Sequence, residues 1–366
     1  MNAHTRSKPH AAPFARNAEL GMLLETVLVW AVVAILTIRF FLALTGFPQL
    51  GGHGLHIAHM LWGGLFMLAS LVVLLAFLGR RVQRIAAILG GIGFGTFIDE
   101  LGKFITSDND YFFRPTIALI YCIFVLLFLL GRRIEERAPF SRRELVANGL
   151  DQIKETVLAD GAPLSRRETQ LNAQLLRLLR PLGARDPAVS GLVAALQRLD
   201  TVPTRPATAL ERVAAGVDAR YRRLIRSPRF ATFVLTGLIA YALLTLVLLA
   251  VALVAATRAH VGVTLTFAEG GLVATAVLSG TLIGVGVAAL PRSRAVAYRW
   301  FRYGILVAQL LEQVFLFYLL QSGAILGLAL NLVVLATLNY GIAAEESPAV
   351  AGRDTPQAPH GEREQA

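Results

Sequence analysis

The sequence predicts an all-α protein: a polytopic membrane helical bundle of about eight transmembrane helices in two halves of four, with a cytoplasmic helical insert between them. Three observations predict it. The 366-residue chain is 55% hydrophobic and only 16% charged, where a soluble domain is about one quarter charged. The apolar residues gather into runs of roughly 20, the length that crosses a bilayer core. The arginines gather at one set of run ends, as the positive-inside rule requires of a multi-pass chain.

The runs fall at 21–46, 56–79, 84–105, 115–131, 230–256, 268–290, 301–321 and 323–341. The first follows a polar tail, 1–20, and is too long for a cleaved secretory segment, so it is expected to remain as a span. Arg6, Lys8 and Arg16 precede it. Arg80, Arg81 and Arg84 join spans 2 and 3, and Arg132, Arg133 and Arg137 follow span 4. Arg222, Arg223, Arg226 and Arg229 precede span 5, and Arg292, Arg294, Arg299 and Arg302 join spans 6 and 7. With eight spans, all of these lie on one side. Both termini and residues 132–229 are therefore expected in the cytoplasm. The first membrane half is 21–131 and the second 230–341, with a tail at 342–366 whose Pro, Gly and charge predict disorder.

The net charge of +11 would suit nucleic acid, but the arginines sit beside apolar runs. Topology accounts for them, and the expected partner is the lipid bilayer rather than nucleic acid. Lysine occurs only at positions 8, 103 and 154, while Arg and Ala are abundant; that bias points to a GC-rich bacterial genome and hence to a bacterial inner membrane. Cys122 is the single cysteine, so no intramolecular disulfide forms.

The insert, 132–229, reads as a helical domain. Ser141-Arg142-Arg143-Glu144 and Ser165-Arg166-Arg167-Glu168 are both S-x-x-E capping boxes opening amphipathic runs. Leu145, Leu150, Ile153 and Val157 would line one face, and Leu171, Leu175, Leu178 and Leu179 the next. Asp186-Pro187 is an N-cap followed by proline at the first helical position. Val202-Pro-Thr-Arg-Pro206 breaks the chain before a fourth helix at about 208–226. No nucleotide-binding or catalytic motif occurs in it, so it is expected to be structural or to dock a cytoplasmic protein partner.

The unusual residues cluster at the run ends away from the arginines. His53, His56 and His59 open span 2, and Asp99, Glu100 and Lys103 close span 3. Asp108 and Asp110 follow in the next loop, and His260 lies in a later one on that side. His56 and His59, three apart, share a helix face. Imidazole with carboxylate is a donor set for zinc or iron, which would take His53, His56, His59, Asp99 and Glu100. The same residues suit a proton or solute pathway, or a structural network in which Asp99 pairs with Lys103 at i, i+4. Span 7 places Gln309, Glu312 and Gln313 near mid-membrane, where a charged side chain costs at least about 2.5 kcal/mol and needs a partner. Arg39, in the outer half of span 1, is a candidate. Aligning IDELGKFI with LLEQVFLF places Glu100 on Glu312, and His59 then falls near Glu269, so an internal parallel repeat is expected. Gly90, Gly91, Gly93 and Gly95 follow no strand, which excludes a nucleotide loop and leaves close helix packing.

The stretches HIAHMLWGGL, GIGFGTFIDELGKFITSDNDYFFRP and LLEQVFLFY resemble an uncharacterised family of bacterial multi-pass membrane proteins. That resemblance implies the membrane fold and no activity. Membrane His paired with membrane acids is also similar to membrane-embedded metal hydrolases of the ceramidase type, but the chain has no late H-x-x-x-H.

Three functions are open at this stage. The first is movement of a proton, ion or small polar solute past His56, His59, Asp99, Glu100 and Glu312. The second is a metal-dependent hydrolase acting on a lipid or envelope substrate, with His56, His59 and one acid holding the metal and the other acid as general base. The third is a non-catalytic scaffold whose insert docks a partner.

Overall fold

The computed structural model describes residues 14–45, 59–106, 113, 115–135, 139–160, 162–227 and 265–351, with parts of 229–254. The expected sites at His53, His56, Asp108 and Asp110 lie outside them. All regular structure among the described residues is helical. Five stretches are long and apolar enough to cross a membrane: Leu20–Thr45, His59–Ala76, Pro115–Glu135, Phe267–Ala289 and Arg294–Tyr340. The chain divides into two compact units, one within 1–111 and 123–212, the other within 112–122 and 213–366.

In the first unit, α1 (Leu20–Thr45), α2 (His59–Ala76) and α3 (Arg80–Ile98) pack together. Helix α2 is inverted relative to a soluble helix. Its buried residues are Gly63 and Ser70, while Leu61, Leu65, Leu68 and Leu75 are exposed. Small residues inside and large apolar residues outside is the arrangement expected where lipid replaces water. The glycines of α3 explain its central place. A methyl group on Gly93 would lie 2.7 Å from Gly63 O, and one on Gly91 would lie 2.5 Å from Val27 O. One glycine thus admits the backbone of α2 and the other that of α1. The expected third span is not continuous. Helix α3 ends at Ile98, Asp99 and Glu100 form a turn, and α4 (Leu101–Ile105) follows. The fourth expected span is α5 (Pro115–Glu135).

The insert begins with α6 (Arg142–Leu158), α7 (Arg166–Gly183) and α8 (Pro187–Leu199). Both expected capping boxes form, Ser141 with Glu144 and Ser165 with Glu168, and Asp186 caps α8 through Ala188 N. Leu145, Leu175, Leu179, Val189, Leu192 and Leu196 make the core. Each fully buried leucine contributes about 2 kcal/mol. The expected apolar faces need correction. Leu150, Val157 and Leu178 are exposed. Helix α6 instead buries a polar stripe, Glu144, Asn148, Gln152 and Glu155, because that side meets Arg16 and Arg80 of the same unit. The fourth insert helix is α9 (Ala209–Arg226).

The second unit holds α10 (Phe267–Ala289), α11 (Arg294–Val307), a π-helical turn at Ala308–Glu312, α12 (Gln313–Leu320) and α13 (Ala324–Ala351). Ile283, Ala297, Phe301, Ile305, Val334 and Leu338 form its core with Val234. Helix α10 starts with a capping box, Thr266 with Glu269. Helix α13 runs through Ala351, so residues 342–351, expected in the disordered tail, are helical, and 352–366 lie outside the described residues. Most of the expected fifth span lies outside the described residues.

Candidate functional site

Five of the sequence-predicted residues converge in the first unit. The end of α3 at Ile98 turns the chain so that Asp99 and Glu100 both point inward, with 0% and 1% of their surface exposed. The turn is held by Asp99 N donating to Gly95 O at 3.1 Å and Lys103 N donating to Glu100 O at 3.0 Å. His59, the first residue of α2, lies between the two acids. Its Nδ1 is 2.9 Å from Glu100 Oε1 and its Nε2 is 3.5 Å from Asp99 Oδ2.

Two fixed cations complete the cluster. Arg39 Nε donates to Asp99 Oδ1 at 2.6 Å, and Lys103 Nζ donates to Glu100 Oε1 at 3.1 Å. The Lys103 contact differs from the sequence expectation, which gave Lys103 to Asp99, and the Arg39 contact is one that the sequence did not suggest. The break after Ile98 is the reason in the first case. Asp99 and Lys103 are not on one continuous helix, so i, i+4 geometry does not hold, and the i, i+3 pair Glu100–Lys103 forms instead. In the second case α1 packs on α3, which brings Arg39 to the acid at the end of α3.

Two carboxylates and two fixed cations balance, so a proton on His59 or Glu100 changes the cluster charge by one. Glu100 Oε1 receives both His59 and Lys103, whereas Glu100 Oε2 is buried and has no hydrogen-bond partner among the described residues. An unpartnered buried carboxylate oxygen is costly, and a proton or a small hydrogen-bonding solute would satisfy it.

Of the five donors expected for a metal, only His59, Asp99 and Glu100 are among the described residues. Both ring nitrogens of His59 face carboxylates, and among the described residues no group of three or more His, Cys, Asp or Glu is arranged to hold a metal ion.

A second polar cluster lies in the second unit. Glu312 is 5% exposed and Gln313 fully buried. Gln313 N closes the π turn on Ala308 O, and Gln313 Nε2 donates to Ala324 O at 2.8 Å. Tyr121 Oη donates to Gln309 O, and its ring packs on Phe317 with centroids 5.0 Å apart. Gln309 Oε1 and Gln313 Oε1 are buried with no hydrogen-bond partner among the described residues. The π turn has no clear sequence mark, although such turns recur at functional sites. Glu269 is exposed and serves the cap of α10.

The structure also holds a network that sequence reasoning missed. Arg80, 2% exposed, places Nε 3.0 Å from Glu19 Oε2 and Nη2 3.2 Å from Asp151 Oδ2, and Nη1 donates to Gln152 Oε1. Its backbone N donates to Glu155 Oε1 at 2.9 Å. Gly79 makes this approach, since its φ of 113° suits glycine alone. Arg16 grips Glu144 through Nε at 2.6 Å and Nη2 at 3.1 Å. That contact drives the Glu144 carboxyl well below the usual range and raises Arg16. The readable signal was the i, i+4, i+8, i+11 polar spacing on α6, hidden by reading every arginine as a topology mark.

No protein-family model, curated protein or solved structure matches this chain.

Proposed function

We propose that the chain is a multi-pass protein of a bacterial inner membrane that moves a proton, or a small polar solute exchanging with one, through the His59–Asp99–Glu100 cluster. The single observation that carries this reading is the Glu100 carboxylate, whose Oε1 lies 2.9 Å from the His59 imidazole while its buried Oε2 has no hydrogen-bond partner among the described residues. Ionisable groups among apolar helices are expensive and mark pathways by default. Arg39 and Lys103 hold the acids in place, and His59 hands a proton between them. In this reading the arginine-flanked helix ends, including the insert, face the cytoplasm. Eight spans in two halves of four remain the arrangement it assumes, with Arg294–Tyr340 making two passes.

Reconstitution in liposomes under a pH gradient, with a dye reporting internal pH, tests it. Wild-type protein should collapse the gradient, and Glu100→Gln, which keeps the shape and removes the charge, should not. Equal rates for the two proteins would end the proposal.

A further inference from the structure

Helix α9 carries an apolar stripe that stands exposed among the described residues. Val213, Val217, Tyr221 and Leu224 are spaced four, four and three apart, which places them on one side of a helix with 3.6 residues per turn. They are 63%, 62%, 41% and 50% exposed. Soluble helices bury such a stripe, as α7 and α8 do with Leu175, Leu179, Leu192 and Leu196 in the same insert.

The sequence of α9 holds five arginines against two acids. Arg212 and Arg223 fall on the side opposite the stripe and Arg220 on its flank, all exposed. The chain then runs within a few residues into Phe230, Val234, Leu235 and Ile239, which pack on the core of the second unit against Ile283, Phe301 and Leu338. An amphipathic helix joined this closely to a membrane-crossing bundle has a surface at hand. Its basic side matches the negative charge of anionic headgroups.

We infer that α9 is an in-plane helix whose Val213–Leu224 stripe is buried in the anionic cytoplasmic surface of the bilayer, with its arginines held at the headgroups. This inference rests on the membrane reading of the chain but not on the transport proposal. The occupant is lipid. A second copy or another protein would be equally apolar, but nothing in its chemistry would call for the arginine excess.

Site-directed spin labelling of the full-length protein tests this. Single cysteines replace Val217, Leu224, Ala215 and Leu68 in a Cys122→Ser background. The proteins are reconstituted in phosphatidylcholine with phosphatidylglycerol, and in phosphatidylcholine alone. Leu68 is exposed on α2 and is the lipid reference. With phosphatidylglycerol, labels at 217 and 224 should be accessible to oxygen like the label at 68, and the label at 215 accessible to a water-soluble nickel complex. The contrast between 217 and 215 should shrink several-fold without phosphatidylglycerol or in Arg220→Gln/Arg223→Gln. Water-exposed labels at 217 and 224 with a lipid-exposed label at 68 would overturn the inference alone. A water-exposed label at 68 would overturn the membrane reading with it. Dipolar broadening at 217 would assign the stripe to a second copy instead. Lipid exposure at 217 that ignores both phosphatidylglycerol and the arginines would overturn the anionic surface as its partner.

Discussion

The two buried polar clusters solve the same problem with different chemistry. In the first unit, a helix simply stops. The turn at Asp99 and Glu100 presents two carboxylates, and Arg39, Lys103 and His59 are brought to them from three elements. In the second unit the helix continues through a π turn. Its buried groups are mainly amides, with Tyr121 and Gln313 bonding backbone carbonyls. A charged cluster can change its charge by accepting a proton, whereas an amide–carbonyl network has no proton to exchange near neutral pH. Under the proposed function, exchange belongs to the first cluster and helix positioning to the second, where Glu312 is a carboxyl among amides.

The comparison can be broken in several places. The largest effect is expected at Glu100→Gln, which should reduce proton flux to the level of protein-free liposomes. Arg39→Leu should lower stability by roughly 2 kcal/mol, since it leaves Asp99 buried with one fewer cation; the value is set below the ~3–5 kcal/mol of a fully buried pair because Arg39 is partly exposed. Denaturation followed by circular dichroism in detergent measures it. Glu312→Leu should alter flux or assembly more than Glu135→Leu, which lies at the end of α5; equal, negligible effects would remove Glu312 from any pathway. Tyr121→Phe and Gln313→Leu should each cost about 1 kcal/mol, the net worth of one hydrogen bond, and leave flux unchanged. A flux loss there would erase the distinction between the clusters.

The smallest effect concerns the insert. Glu144 has a depressed folded pKa, so its bond to Arg16 stabilises fully above the ordinary carboxyl value of about 4.3. That stabilisation is lost progressively as pH falls below it. Proteolysis near Arg16 should accelerate in that acid window, and Glu144→Gln should show the faster rate already at pH 7.

Much of the first cluster was legible because charge inside an apolar run is conspicuous. His59, Asp99, Glu100, Lys103 and Arg39 were each visible one by one. Their pairing was not, since it depends on where α3 ends and on α1 reaching its far end. The caps of α6, α7 and α8 were legible for a local reason: a capping box needs only four consecutive residues. The polar face of α6 was misread because its partners, Arg16 and Arg80, are 128 and 72 residues from Glu144 and Gln152.

By itself, the sequence determined the helical class, the apolar runs, the arginine-marked ends and the residues available for chemistry, because periodicity, capping and hydropathy act within a few turns. Only the tertiary structure decided the break at Asp99, the π turn before Gln313, the packing of α1 that puts Arg39 on Asp99, and the exposure of the α9 stripe among the described residues. Those features follow from which helices touch, and contact between residues far apart in the chain leaves no local mark.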